Sequence, residues 1–158
     1  MPIDPTELLT LARNLVDRNP GAQIEGDLRR AISTAYYAVF HLLITAAMSN
    51  IVKDVAFRPR LGRMFQHGQM KTFCTEYLAR KNPDKATNEL RLIADAFREL
   101  HVAREEAEYD GSVTVEHAYA ASKVKHAEAA FNAWLTAEGQ PTTTDFFQDL
   151  FIKSVSKR

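Results

Sequence analysis

Cysteine is almost missing from this chain of 158 residues: Cys74 stands alone. A single thiol excludes an internal disulfide and paired-cysteine zinc sites. It fits a reducing compartment, so a cytoplasmic protein is expected. No uninterrupted apolar run approaches the roughly 20 residues that span a bilayer, and no membrane partner is expected. The opening Met1-Pro2-Ile3-Asp4-Pro5 lacks the basic segment and apolar stretch of a secretory signal. Net charge is missing too. Twenty Lys and Arg balance twenty Asp and Glu, so the overall field favours neither nucleic acid nor membrane. No segment repeats and none is low in complexity. A P-loop, a His-Glu-x-x-His pair and a Gly-x-Ser-x-Gly elbow are all absent. The residues three before the five histidines are Ala38, Met64, Arg98, Thr114 and Lys123. None is Glu, which excludes the Glu-x-x-His pairs of di-metal bundles. Neither a metal nor another cofactor is expected.

What is present is helical periodicity. Asp4-Pro5-Thr6-Glu7 supplies a cap, a first-turn proline and a capping-box carboxylate, with Leu8, Leu11 and Leu15 following at helical spacing. Asn19-Pro20-Gly21 ends that helix. A second helix is expected over 25–49. Leu28, Ile32, Ala35, Val39, Leu42 and Ala46 form one apolar line, and Tyr36, Phe40, Leu43 and Ala47 form another beside it. A helix so widely apolar belongs in the middle of a bundle. Residues 53–63 read as a connection, broken by Pro59 and Gly62.

Further helices are expected over 64–80, 84–109 and 114–137, separated by Asn82-Pro83-Asp84 and Asp110-Gly111-Ser112 and closed by Gly139-Gln140-Pro141. Residues 142–158 carry Phe146, Phe147, Leu150, Phe151 and Ile152, too apolar for a solvated tail. A short helix docking on the bundle or on a second subunit is expected there. Short links favour an all-α, antiparallel up-and-down bundle of four to five helices, one domain over 1–140 with a tail over 141–158.

Charge is unevenly spread. Residues 53–98 hold ten Lys and Arg against five acids, and residues 99–116 hold six acids against one Arg. Adjacent blocks of opposite sign imply either an internal match or a two-faced surface. Arg58, Arg60 and Arg63 make the connection locally basic. They are either solvated or in contact with phosphate.

The most informative feature is a polar stripe on the second helix. Arg30, Thr34, Tyr37 and His41 fall within about 60° of arc at 100° per residue. Such a stripe either meets solvent or lines a cleft. The helix over 84–109 changes in the same way, from Leu90, Ala94 and Phe97 to His101, Arg104 and Glu108. That end either regains water or builds an anion site on Arg104, whose guanidinium suits phosphate. Cys74 reads as a core thiol.

The run Arg30-Ala31-Ile32-Ser33-Thr34-Ala35-Tyr36-Tyr37-Ala38-Val39-Phe40-His41 resembles the second-helix signature of HEPN domains, in the UPF0332-like branch. His67-Gly68 and Arg104-Glu105-Glu106-Ala107-Glu108-Tyr109-Asp110 resemble later segments of that branch. The resemblance covers about 24–135. It implies a bundle of four to five helices that dimerises. It also implies either a metal-independent ribonuclease, often the toxin of a toxin–antitoxin pair with a nucleotidyltransferase-type partner, or a non-catalytic module that binds a nucleotide, RNA or protein. In active members an Arg followed after four to six residues by a His does the chemistry. Here Arg104 matches the Arg, but Tyr109 and Asp110 stand where the His is expected. Their reference pKa values of about 10 and 3.9 suit neither to act as a base near neutrality. His101 or His41 would have to substitute. The two polar stripes and the resemblance together give Arg104, His101 and His41 as candidate catalytic positions, and Arg30, Thr34, Tyr37, Glu108, Tyr109 and Asp110 as candidate binding positions.

Overall fold

A computed structural model describes residues 3–18, 24–80 and 87–155. The expected breaks at Asn19-Pro20-Gly21 and Asn82-Pro83-Asp84 lie outside the described residues. The protein is an all-α bundle. Its helices are α1 (Pro5–Asp17), α2 (Glu25–Ile51), α3 (Arg58–Gly62), α4 (His67–Ala79), α5 (Asn88–Tyr109), α6 (His117–Ala137) and α7 (Pro141–Ser154). A 3-10 turn over Val55–Phe57 precedes α3.

Capping explains several starts. Asp4 accepts from the Thr6 amide at 2.9 Å, with Pro5 opening the helix. Thr87 accepts from the Leu90 amide at 3.3 Å at the start of α5. The connection over 53–63 folds into the 3-10 turn, capped by Asp54, and then into α3. The helix expected from 64 begins at His67 instead, because Phe65 is drawn into an antiparallel bridge with Val155.

α2 is the central element, packed against α1, α5, α6 and α7. Ala31, Ile32, Ala35, Tyr36, Ala38, Val39, Leu43 and Ala47 on it are wholly buried. By length and composition α2 could cross a membrane. However, 67% of its most apolar stretch is buried inside the bundle, which is what a core helix requires. Contacts fix the senses of the helices. Early α2 (Arg29) meets late α5 (Ala107), and mid α2 (Tyr36) meets mid α5 (Phe97), so the two run antiparallel. Likewise Tyr119 of α6 bonds Glu106 of α5 while Lys123 pairs with Glu99.

α7 lays Phe146, Phe147 and Leu150 into the same core. Phe146 meets Tyr77 and Phe73 edge-on at 4.8 and 5.3 Å between ring centres. On α1 the buried line is Leu9, Ala12, Leu15 and Val16, whereas Leu11 is 48% exposed. Leu8-Leu11 and Leu9-Ala12 are equally regular in spacing, and the helix turns the second line inward. Among the described residues the two charge blocks meet in a single ion pair, Arg98 with Glu99 at 3.4 Å. Apart from it, the described residues of the two blocks form no ion pair with each other.

Candidate functional site

Where α2, α5 and the start of α4 meet, polar and aromatic side chains gather around Tyr36. The helical repeat that buries Ala35 and Val39 also turns Tyr36 inward, to 0% exposure. Its ring touches Phe97 and His101 of α5 at 5.5 and 5.6 Å, and Phe40 at 6.1 Å. The phenol hydroxyl is hydrogen-bonded to Nδ1 of His67. The His67 ring lies flat on Phe40, 4.0 Å between centres and 3° from parallel. Tyr37 stands edge-on to Tyr36 at 5.2 Å and reaches His41 at 6.5 Å.

Arg104 enters from α5. Its guanidinium carbon lies 4.6 Å above the Tyr36 ring centre and 5.8 Å from that of Tyr37. Nη1 donates to the Tyr37 hydroxyl at 3.2 Å and lies 3.6 Å from Glu108 one turn on. Nε is buried without a partner. Nη2 makes no bond within the chain and is not sealed from solvent. A cation with 13% of its side chain exposed keeps an uncommitted donor here.

The three histidines around this arginine are held neutral. Burial lowers His67 to about 4, with the Arg104 charge adding to it. Burial also lowers His41 and His101; Glu105, with Oε1 3.5 Å from Nδ1 of His101, works against the shift there. Burial raises the Tyr36 phenol well above its ordinary range.

Of the residues singled out by sequence, Arg104, Tyr37, His41, His101 and Glu108 share this corner of the bundle. Tyr37 bridges Arg104 to His41. Thr34 is half-buried on the same helix and makes no hydrogen bond to the group. Arg30 is exposed and takes no part. Tyr109 is 75% exposed and points away from the core. Asp110 is exposed and turns its carboxylate to the Ser112 amide and hydroxyl; these bonds lower its pKa. It caps a turn rather than facing the arginine.

Sequence reasoning gave no site role to three residues that have one in the structure. Tyr36 was assigned to an apolar line, and His67 lies 31 positions from its partner. Arg29, next to Arg30, carries the structural duty. Its Nη1 donates to the carbonyls of Ala107, Asp110 and Glu106 at 2.9, 3.3 and 3.4 Å. Glu106 and Asp110 also accept the Asp110 and Val113 amides, whereas Ala107, in the last turn of α5, has no backbone partner beyond the helix end. Its Nη2 bonds Glu25 and the Val113 carbonyl. Glu25 in turn accepts from the Val115 amide at 3.0 Å, and its pKa is lowered by that bond first and by Arg29 second.

No group of three or more His, Cys, Asp and Glu among the described residues is placed to hold a metal. The arrangement offers a cation, aromatic faces and neutral imidazoles: the equipment to hold an anionic group beside a planar one. No family model, curated protein or solved structure matches the chain.

Proposed function

We propose that the chain is a HEPN-like helical module that binds a nucleotide or a segment of RNA at Arg104 and does not cleave it. One observation carries the reading: Arg104 is nearly buried against Tyr36, yet keeps Nη2 free beside an aromatic wall. A guanidinium costs several kcal/mol to desolvate. The stack on Tyr36, the hydrogen bond to Tyr37 and the Glu108 carboxylate offset that cost, and a ligand phosphate would add a charge-assisted bond at Nη2. The aromatic faces suit a base or sugar.

The site is short of a base. Tyr109 and Asp110, at the positions where the family's active members carry a histidine, stand outside the cluster. His67 has its Nδ1 engaged by Tyr36. A second reading, a metal-independent ribonuclease of toxin–antitoxin type, is favoured by one contact. Glu105 lies 3.5 Å from Nδ1 of His101 and supports proton uptake by that ring.

A second copy of the chain or a nucleotidyltransferase-type protein is the proposed macromolecular partner; exposed Leu92, Val102 and Tyr109 on α5 supply apolar area for one. The unpaired Cys74 supports a cytoplasmic setting.

Incubating single-stranded RNA with the protein in EDTA separates the two readings. Binding with intact RNA, lost on Arg104→Ala, supports the module. Cleavage that survives chelation and vanishes in the same variant supports the nuclease and overturns the first reading.

A further inference from the structure

The geometry points to His67 as a second ligand-binding donor: Tyr36 locks its imidazole so that Nε2–H, together with Nη2 of Arg104, faces an incoming oxyanion such as a nucleotide phosphate. This rests on the anion-binding reading of Arg104 and names the partner group on the protein side.

The locking follows from a count of protons. Tyr36 is wholly buried, and its hydroxyl has one partner, Nδ1 of His67. If Nδ1 carried the hydrogen, the phenol hydrogen would have no acceptor in a site closed to water, at a cost of about 1–3 kcal/mol. The phenol therefore donates and Nδ1 accepts. A neutral imidazole has one N–H, so the hydrogen sits on Nε2. Burial and the Arg104 charge keep the ring neutral at ordinary pH. Nε2 makes no hydrogen bond within the chain and is not sealed from solvent.

The ring is also immobilised. Phe40 is stacked on one face at 4.0 Å, and Tyr37 meets it edge-on at 6.2 Å. The backbone is pinned one residue earlier, where the Gln66 amide donates to the Ser154 carbonyl at 2.9 Å. Arg104 and His67 border the same Tyr36 ring, the first 4.6 Å from its centre and the second 5.7 Å between ring centres. Two preorganised donors, one charged and one neutral, suit two oxygens of one phosphate. With its acceptor nitrogen occupied, His67 holds a ligand oxygen rather than removing a proton.

The test is imidazole nitrogen NMR on the full chain near pH 7, followed by titration with inorganic phosphate. His67 is expected to show a bare Nδ1 and a protonated Nε2. Tyr36→Phe, which keeps the ring under Arg104, is expected to give mixed tautomers. Phosphate is expected to shift both His67 Nε2–H and the Arg104 guanidinium. His67→Ala is expected to weaken phosphate binding about tenfold, the loss of one hydrogen bond to a charged group. His67→Gln, whose amide can stand in for Nε2–H, is expected to restore part of it, with circular dichroism checking the fold of each variant. A hydrogen on Nδ1, or phosphate shifts at Arg104 without any at His67, overturns this inference and leaves the Arg104 reading standing. Silence at both residues at saturating phosphate overturns the inference, and silence toward a nucleotide as well removes the reading beneath it.

Discussion

The guanidinium of Arg104 lies 4.6 Å above the ring of Tyr36, joining the end of α5 to the middle of α2. A cation–π contact of this kind contributes about 0.5–2 kcal/mol, and the hydrogen bond to Tyr37 adds about 1 kcal/mol. Arg104→Ala is therefore expected to lower stability by about 1–3 kcal/mol and to abolish nucleotide binding. Arg104→Lys keeps the charge but not the planar stack, so it should fall between the two. Urea unfolding measures the first effect. An unchanged midpoint in Arg104→Ala would mean that the stacking is not formed in solution.

Acid should loosen the protein through its histidines. His67 is held at about 4, and burial lowers His41 and His101 as well. In the unfolded chain each takes up a proton near the ordinary value of about 6.5. Between those values the unfolded state binds more protons, so stability is full above about pH 6.5 and falls as the pH drops toward 4. His67→Gln, which cannot charge, should flatten that fall. Urea midpoints across the range read it out, and an equal slope in both proteins would show that His67 is not held neutral.

How much of this was legible in the sequence depends on the kind of contact. Apolar spacing located α2, α5 and α6 because burial follows the 3.6-residue repeat. It could not choose between Leu11 and the neighbouring Leu9 line on α1, since both repeat equally well. Nor could it tell Arg29 from Arg30. Only the position of the end of α5 shows that Arg29 meets the open carbonyl of Ala107. Arg104, Tyr37 and His41 stood out as polar residues on apolar helices. Tyr36 and His67 did not, because a buried phenol looks apolar until its distant acceptor is placed beside it.

Arg29 makes a sharper prediction than its neighbour. Arg29→Ala strips donors from the carbonyls of Ala107, Asp110 and Val113, so it should cost about 1–3 kcal/mol. Hydrogen exchange should quicken over 106–115, while Arg30→Ala, at an exposed position, should change neither. Equal exchange in the two variants would dismiss this latch.

α7 should behave as core. Phe147 is 1% exposed and Ile152 is 62% exposed on the same helix. Phe147→Ala is expected to cost about 3–5 kcal/mol, and Ile152→Ala to stay within about 0.5 kcal/mol. Thermal unfolding compares them, and a mild Phe147→Ala would mean that α7 detaches without cost.

The most direct measurement is a crystal structure of the chain grown with adenosine monophosphate. The nucleotide phosphate should sit within hydrogen-bond distance of Nη2 of Arg104, with Tyr36 and Tyr37 in their present places. Nucleotide bound elsewhere, or an Arg104 still joined only to Tyr37 and Glu108 at saturating ligand, would contradict a phosphate site at this corner of the bundle.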